Sequence, residues 1–520
     1  MGTLSDRIRQ SVKGAIQGFD RIVFKGFIRP IMYAAGMQGY LMSQGIKNKD
    51  FKAYALEKSK AIVADAEARS KEHLTMPITY IASSHERKEA LAHTQQEKLG
   101  IKEGLIGVWS CVESCNTYRS TFNPQATYPE LRHEQSRCKH LYFYLDDPKY
   151  GFMSIRLQTW APYEIQIALN GREWLRRALD SEGCGYILHG NKFLHIDDYA
   201  LAQKHLDAQL TADFEAILNS YVPLAFPTMT DIVPQMGYYW TLWQSEVAKD
   251  YIFETPEIIQ PMMDNLMRYA LITGDGERIL HYFGSPVKKN GQPHASSNPE
   301  ILSRCKVWYD GVRVRHWNGK NSVKFYNEHN VLRFEMTMND PAKFKIYRHA
   351  ENQSDSEPKK LRQIRKGIAD ITARAQVSAQ IVDRFVNQVA CATETMSLED
   401  IIGDLSKPVK KNGKRFRALD ALGKDLKLLR AIAEPSMSVS SITNKGLQKI
   451  LAGTDWAKGM EGKRLSGKIS RQLALLRYHG LIRKLPKQNK YALTDKGRKL
   501  TSALNIALAA SLDSLLQLST

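Results

Sequence analysis

Between Ser406 and Leu500 the chain carries 24 lysines and arginines against six acidic residues, a net of +18. The other 425 residues hold 50 basic and 48 acidic side chains, so nearly all of the +20 formal charge sits in one segment. Charge concentrated in this way marks a module with a polyanion-binding surface, whereas evenly spread charge only aids solubility. A solvated basic tail is the bland alternative, but the segment has the apolar periodicity of a core. Leu422–Ile432 places leucines at helical spacing, and Asn444–Leu451 carries Leu447, Ile450 and Leu451 on one side. Ser466 can cap a third helix over Gly467–His479, whose buried stripe is Ile469, Leu473, Leu475 and Leu476, with Gly480 at the natural stop. Leu481–Lys484 and Lys490–Thr494 can then pair across Pro486–Asn489, and a further helix follows from Thr494. Residues 416–510 are therefore expected to fold as a separate nucleic-acid-binding domain.

The order of three helices, a hairpin and a helix, with LLRYHGLIRKLPKQNKYALTDKGRKL at its centre, closely resembles MarR- and ArsR-like winged-helix domains. The resemblance implies a winged helix-turn-helix whose third helix enters a DNA groove while the wing follows phosphates. By position, Arg464, Lys468, Arg471 and Arg477 would face DNA from the helix, and Arg483, Lys484, Lys487 and Lys490 from the wing. Such a domain is also used for RNA or for protein contacts.

A chain of 520 residues, 43% hydrophobic, has ample material for further domains. Residues 1–100 read as mostly helical, notably from Asp50 through Glu72. Strand composition appears at Met76–Ala82, Gly104–Cys111, Leu141–Leu145 and Phe152–Trp160, and a helix at Leu169–Asp180, making 101–349 an α+β domain. A polar linker at His349–Pro358 precedes a helical connector over 359–403. The fold class expected is α+β: a large mixed N-terminal and central domain, the connector, and the C-terminal winged helix.

For chemistry, Val323–Tyr326 and Leu332–Met336 alternate as two strands around a polar turn. That pairing sets Lys324, Tyr326, Arg333 and Glu335 on neighbouring sheet positions. The block Tyr309–Arg348 is similar to a strand pair of phage and plasmid rolling-circle replication initiators, in which a tyrosine attacks a DNA phosphodiester beside a metal. The resemblance implies Tyr326 as nucleophile, Arg333 or Lys324 as charge stabilisers and Glu335 as a ligand of the metal. Those initiators hold their metal with His-x-His, which this sequence lacks; His189 and His195 are spaced too widely. FDRIVFKGFIRP, LQTWAPYEIQIALNGREWL and the same block also resemble a widespread bacterial family of uncharacterised proteins, which supplies no activity to carry over.

Asp146, Asp147, Asp310 and Glu335 offer a metal-dependent nuclease instead, using Mg²⁺ or Mn²⁺, although Asp-Asp-Pro is also ordinary turn material. Cys111, Cys115, Cys138 and His140 form C-x3-C…C-x-H, four ligands for a structural zinc, or else buried strand cysteines. Tyr238–Phe253 is aromatic-rich and reads as core, with stacking on single strands the alternative. No P-loop, dinucleotide fingerprint, G-x-S-x-G or H-E-x-x-H occurs. Six cysteines, no apolar h-region and no membrane-length run point to a cytoplasmic protein with no membrane partner. The leading expectation is DNA binding through the basic C-terminal domain. The alternatives are a mobile-element transposase, replication initiator or nuclease, and an RNA-binding ribonucleoprotein component.

Overall fold

The computed structural model describes residues 11–509 apart from 123–124, 126–127, 260–262, 264–265, 267–275, 285–300, 309–310, 351–357, 391–397, 412, 435–436, 438–440 and 486–487. The chain divides into two compact units, each assembled from separated stretches. The larger comprises Gly14–Ile252 and Glu335–Ala379; the smaller comprises Met1–Lys13, Phe253–Phe334 and Gln380–Thr520. The architecture is mixed α and β around a large sheet, as the α+β class requires.

The larger unit is built on β1 (Val12–Phe27), β2 (Thr79–Ile81), β3 (Gly104–Thr121), β4 (Glu130–Asp147), β5 (Gly151–Gln158) and β6 (Ile165–Asn170). A small hairpin of β7 (Tyr186–His189) and β8 (Lys192–Ile196) follows, and then β9 (Tyr239–Phe253). The sheet order is β9-β1-β6-β5-β4-β3-β2. The pairs β1–β6, β6–β5, β5–β4 and β4–β3 are antiparallel, while β2 runs parallel to β3. Alternation puts Ile22 and Phe24, Ile165 and Ile167, Ile155 and Leu157, and Leu141 and Phe143 in one core, against helices Phe51–Leu74 and Phe214–Ala225. The opposite face carries Lys25, Gln166, Arg156 and Tyr142 as direct register partners.

β1 corrects the expectation of a mostly helical N-terminal region. Helices do occupy Ala34–Ser43, Phe51–Leu74 and Lys88–Leu99, but residues 12–27 form a strand. Val12, Ile16, Phe19, Ile22, Val23 and Phe24 are β-branched or aromatic, and much of the strand is buried on both faces, which hides its period of two. Gly18 lets helix Tyr199–Ala208 cross it closely: a Cβ there would stand 2.9 Å from that of Leu206.

The smaller unit contains β10 (Ile301–Trp308), β11 (Gly311–Asn318), β12 (Asn321–Glu328) and the first half of β13 (Val331–Met338), a meander in that order. The second half of β13, Glu335–Met338, belongs to the larger unit, where it follows β9. Phe325, Phe334 and Phe385 pack ring against ring. The expected connector begins with a short strand at Lys360–Gln363, and its helices span Ile371–Ala390 and Leu398–Leu405.

Towards the C-terminus come helices Leu426–Ala433, Asn444–Leu451 and Gly462–Tyr478, a hairpin of Ile482–Lys484 with Tyr491–Leu493, and helix Asp495–Ala509. Leu429, Ile432, Leu447, Leu451, Ile469, Leu473, Leu476 and Leu500 close one core. The long helix begins at Gly462, ahead of the expected Ser466 cap. Ser466 lies inside it, its carbonyl accepting from Asn444 Nδ2 at 2.9 Å. No helix among the described residues is long and apolar enough to cross a membrane.

Candidate metal centre

The site starts from a two-residue signal, Asn170-Gly171. Asn170 ends β6 and caps helix Gly171–Glu182, its Oδ1 accepting the Arg172 and Glu173 amides at 2.9 and 3.2 Å. At Gly171 a Cβ would stand 2.3 Å from the Phe19 carbonyl oxygen, so only glycine lets this helix abut β1. The close approach carries the buried Arg172 between strands. Its Nη2 lies 3.0 Å from Asp250 Oδ2 and donates to the Ala248 carbonyl at 3.1 Å, and its Nε is 3.9 Å from Asp20 Oδ1.

Asp20 on β1, Glu246 on β9 and Glu335 on β13 each bring a carboxylate oxygen within 4.8 Å of the others. β1, β9 and β13 are successive strands, and neighbours in a sheet run about 4.8 Å apart, so one residue from each converges without any loop. Asp20 and Glu335 are buried, 8% and 1% exposed, and Asn191 donates to Asp20 Oδ1. Three hard oxygen donors suit Mg²⁺ or Mn²⁺, where zinc would favour nitrogen or sulfur. Asp20 and Glu246 also line a cavity of about 430 Å³ with Arg21, Tyr144, Phe152, Ser154, Ala168 and Asn170. That volume lies within the range of small-molecule sites.

Of the described residues that the sequence nominated for catalysis, Glu335 alone joins this cluster. Tyr326 and Lys324 lie on β12 of the smaller unit, the lysine Nζ 5.5 Å from the tyrosine ring centroid. Arg333 is buried on β13, and Asp310 lies outside the described residues. Asp147 is turn material: its Oδ1 accepts the Lys149 and Tyr150 amides, both at 2.8 Å, and Tyr221 donates to its Oδ2 at 2.6 Å. Asp146 pairs with Arg177 and accepts from Gln96 at 2.7 Å. Sequence reasoning missed Asp20 and Glu246. The available signal was a carboxylate inside an apolar strand-like run, FDRIVF and SEVAKDYIF.

The zinc expectation is not met. Cys138 Sγ lies 4.0 Å from His140 Nδ1, and the Cys115 and Cys138 thiols are hydrogen-bonded, but no three of Cys111, Cys115, Cys138 and His140 bring ligand atoms within 4.8 Å of one another. Cys111 faces His140 across the ladder, while Cys138 faces Glu113 and Cys115 faces Ser136. All four are buried strand residues. Burial, then the nearby Arg156 charge, holds the His140 imidazole down at about 4.

On the C-terminal module, Arg464, Arg471, Arg477, Arg483, Lys484 and Lys490 are exposed, and Lys487 lies outside the described residues. Arg464 and Arg471, seven residues apart, share a helix face; Arg477 lies about 120° round the axis from Arg471. Lys468 is turned inward: its Nζ sits 4.0 Å from the Trp456 ring centroid and donates to the Trp456 carbonyl. Compared with known proteins, the chain matches no family model, no curated protein and no solved structure.

Proposed function

We propose that this protein is a divalent-cation-dependent enzyme acting on nucleic-acid phosphodiesters, docked on duplex DNA by a MarR/ArsR-like winged helix at its C-terminus. The observation that carries the proposal is the convergence of Asp20, Glu246 and Glu335 across three successive strands. It favours the enzyme alternative over a binding protein without chemistry, because three carboxylate oxygens within 4.8 Å of one another offer the hard donors a catalytic divalent cation takes. When bound, a divalent cation supplies Lewis-acid polarisation of a phosphoryl oxygen and acidifies the attacking water. Asp20, Glu246 and Glu335 would hold it, and Arg172 would position Asp20 and Asp250 from behind. Tyr326 has no part in this mechanism, which needs no tyrosine nucleophile.

The docking half rests on the +18 charge of Ser406–Leu500 and on the exposed cations of its long helix and hairpin. Arg464, Arg471, Arg483, Lys484 and Lys490 would meet the duplex, with Lys468 packed on Trp456 instead. We also propose a cytoplasmic location for it. The test is a denaturing gel of end-labelled single-stranded DNA, duplex DNA and RNA, incubated with and without Mn²⁺. Mn²⁺-dependent shortening that Glu335→Gln abolishes is the expected result. An unchanged ladder on every substrate would reduce the protein to a binding module.

A further inference from the structure

On the polar face of the larger unit's sheet, Lys25, Gln166, Arg156 and Tyr142 form one row across β1, β6, β5 and β4. Two residues along each strand, about 7 Å away, the next row is Val23, Ala168, Ser154 and Tyr144. The last three of these line the 430 Å³ cavity that also holds Asp20 and Glu246. The first row and the carboxylate cavity therefore share one continuous sheet surface.

At the β9 side of the same unit, the aromatic run splits by strand alternation. Trp240 and Leu242 point into the core, whereas Tyr239 and Trp243 are 38% and 44% exposed. Cations gather on the exposed pair: Lys25 Nζ is 4.2 Å and Lys366 Nζ 5.6 Å from the Trp243 ring, and the Arg29 guanidinium is 3.5 Å from the Tyr239 ring. Lys25 is ion-paired to Glu164 at 2.6 Å and Arg156 to Glu113 at 3.0 Å. Arg29 and Lys366 add positive charge beyond those two carboxylates. Exposed flat rings interleaved with surplus cations match a ligand of flat bases on an anionic backbone. An acidic peptide would satisfy the cations and leave the ring surface without a flat partner.

We infer that this strip is a track for single-stranded nucleic acid, with Trp243 and Tyr239 stacking on bases, Arg29 and Lys366 meeting phosphates, and the strand running towards the carboxylate cavity. The track names the substrate of the proposed reaction and rests on that proposal for the chemistry, while binding along it stands independently.

The experiment uses the full chain in EDTA, with fluorescent oligothymidylate and a labelled duplex titrated separately by anisotropy. Trp243→Ala is expected to weaken oligothymidylate binding about five- to a hundredfold, the worth of one stacked base, with duplex affinity unchanged. Trp243→Phe should retain most of the affinity. Arg29→Glu, at an exposed position, provides a second variant, and photocrosslinking of iodouridine oligonucleotides should map to Trp243 or Tyr239. Wild-type affinity in both Trp243→Ala and Arg29→Glu overturns the track, as does an equal loss on duplex or crosslinks lying wholly outside the strip. Because every arm is read without metal, these failures leave the metal-dependent reaction standing. Conversely, a Trp243 effect in a protein that never cleaves removes the reaction and keeps the track.

Discussion

A buried imidazole shows at the residue scale how strongly the larger unit's sheet controls its polar groups. His140 stands opposite Cys111 in the β3–β4 ladder and is held neutral, titrating at about 4 against an ordinary 6.5. Its folded value is depressed, so the unfolded chain takes up the proton first as the pH falls. The stability that His140 contributes is intact above about pH 6.5 and is lost progressively as the pH drops towards 4. Thermal melting across that window should show a falling midpoint in the wild-type protein and a shallower fall in His140→Gln. Equal slopes for the two would mean that His140 is not kept neutral by its surroundings. Close placement also shapes the carboxylate cluster, where Gly171 has no Cβ because the Phe19 carbonyl is 2.3 Å from where one would be. That absence is what brings Arg172 to Asp20 and Asp250.

At the scale of elements, the helix Gly462–Tyr478 carries a core stripe of Leu465, Ile469, Leu473 and Leu476 and an outer arc that includes Arg464 and Arg471. Reversing charge at Arg471 and Lys484 together should weaken duplex binding and flatten the logarithmic salt dependence by about two, close to one per lost phosphate contact. An unaltered slope in that double variant would place the docking face elsewhere. This helix, the hairpin and their core were legible in the sequence because local periodicity and a Gly480 stop wrote them within some forty residues. β1 was not, because a strand covered on both faces loses its alternation and its apolar spacing then mimics a helix. Likewise Glu335 could be nominated from its own strand, whereas Asp20 and Glu246 meet it only through the order β13-β9-β1, which brings together residues far apart in sequence. The cysteines and His140 meet only in pairs along the β3–β4 ladder, which spacing in sequence does not show.

At the scale of the whole molecule, one chain of net charge +20 carries three proposed surfaces: a duplex-docking module, a single-strand track and a carboxylate centre. Each contributes a different part of the function. In the proposed function the cations at the C-terminus would supply affinity, the aromatic strip would distinguish single from double strands, and the carboxylates would hold the ion that supplies the chemistry. The account depends most on the last of these. The most direct measurement is the binding of Mn²⁺ alone, followed by its electron paramagnetic resonance signal, to the wild-type full chain and to Glu246→Gln. The wild-type protein is expected to quench the free-ion signal, and Glu246→Gln to bind Mn²⁺ at least tenfold more weakly. Mn²⁺ binding that is absent from the wild-type protein, or unaffected by Glu246→Gln, would contradict the proposed centre.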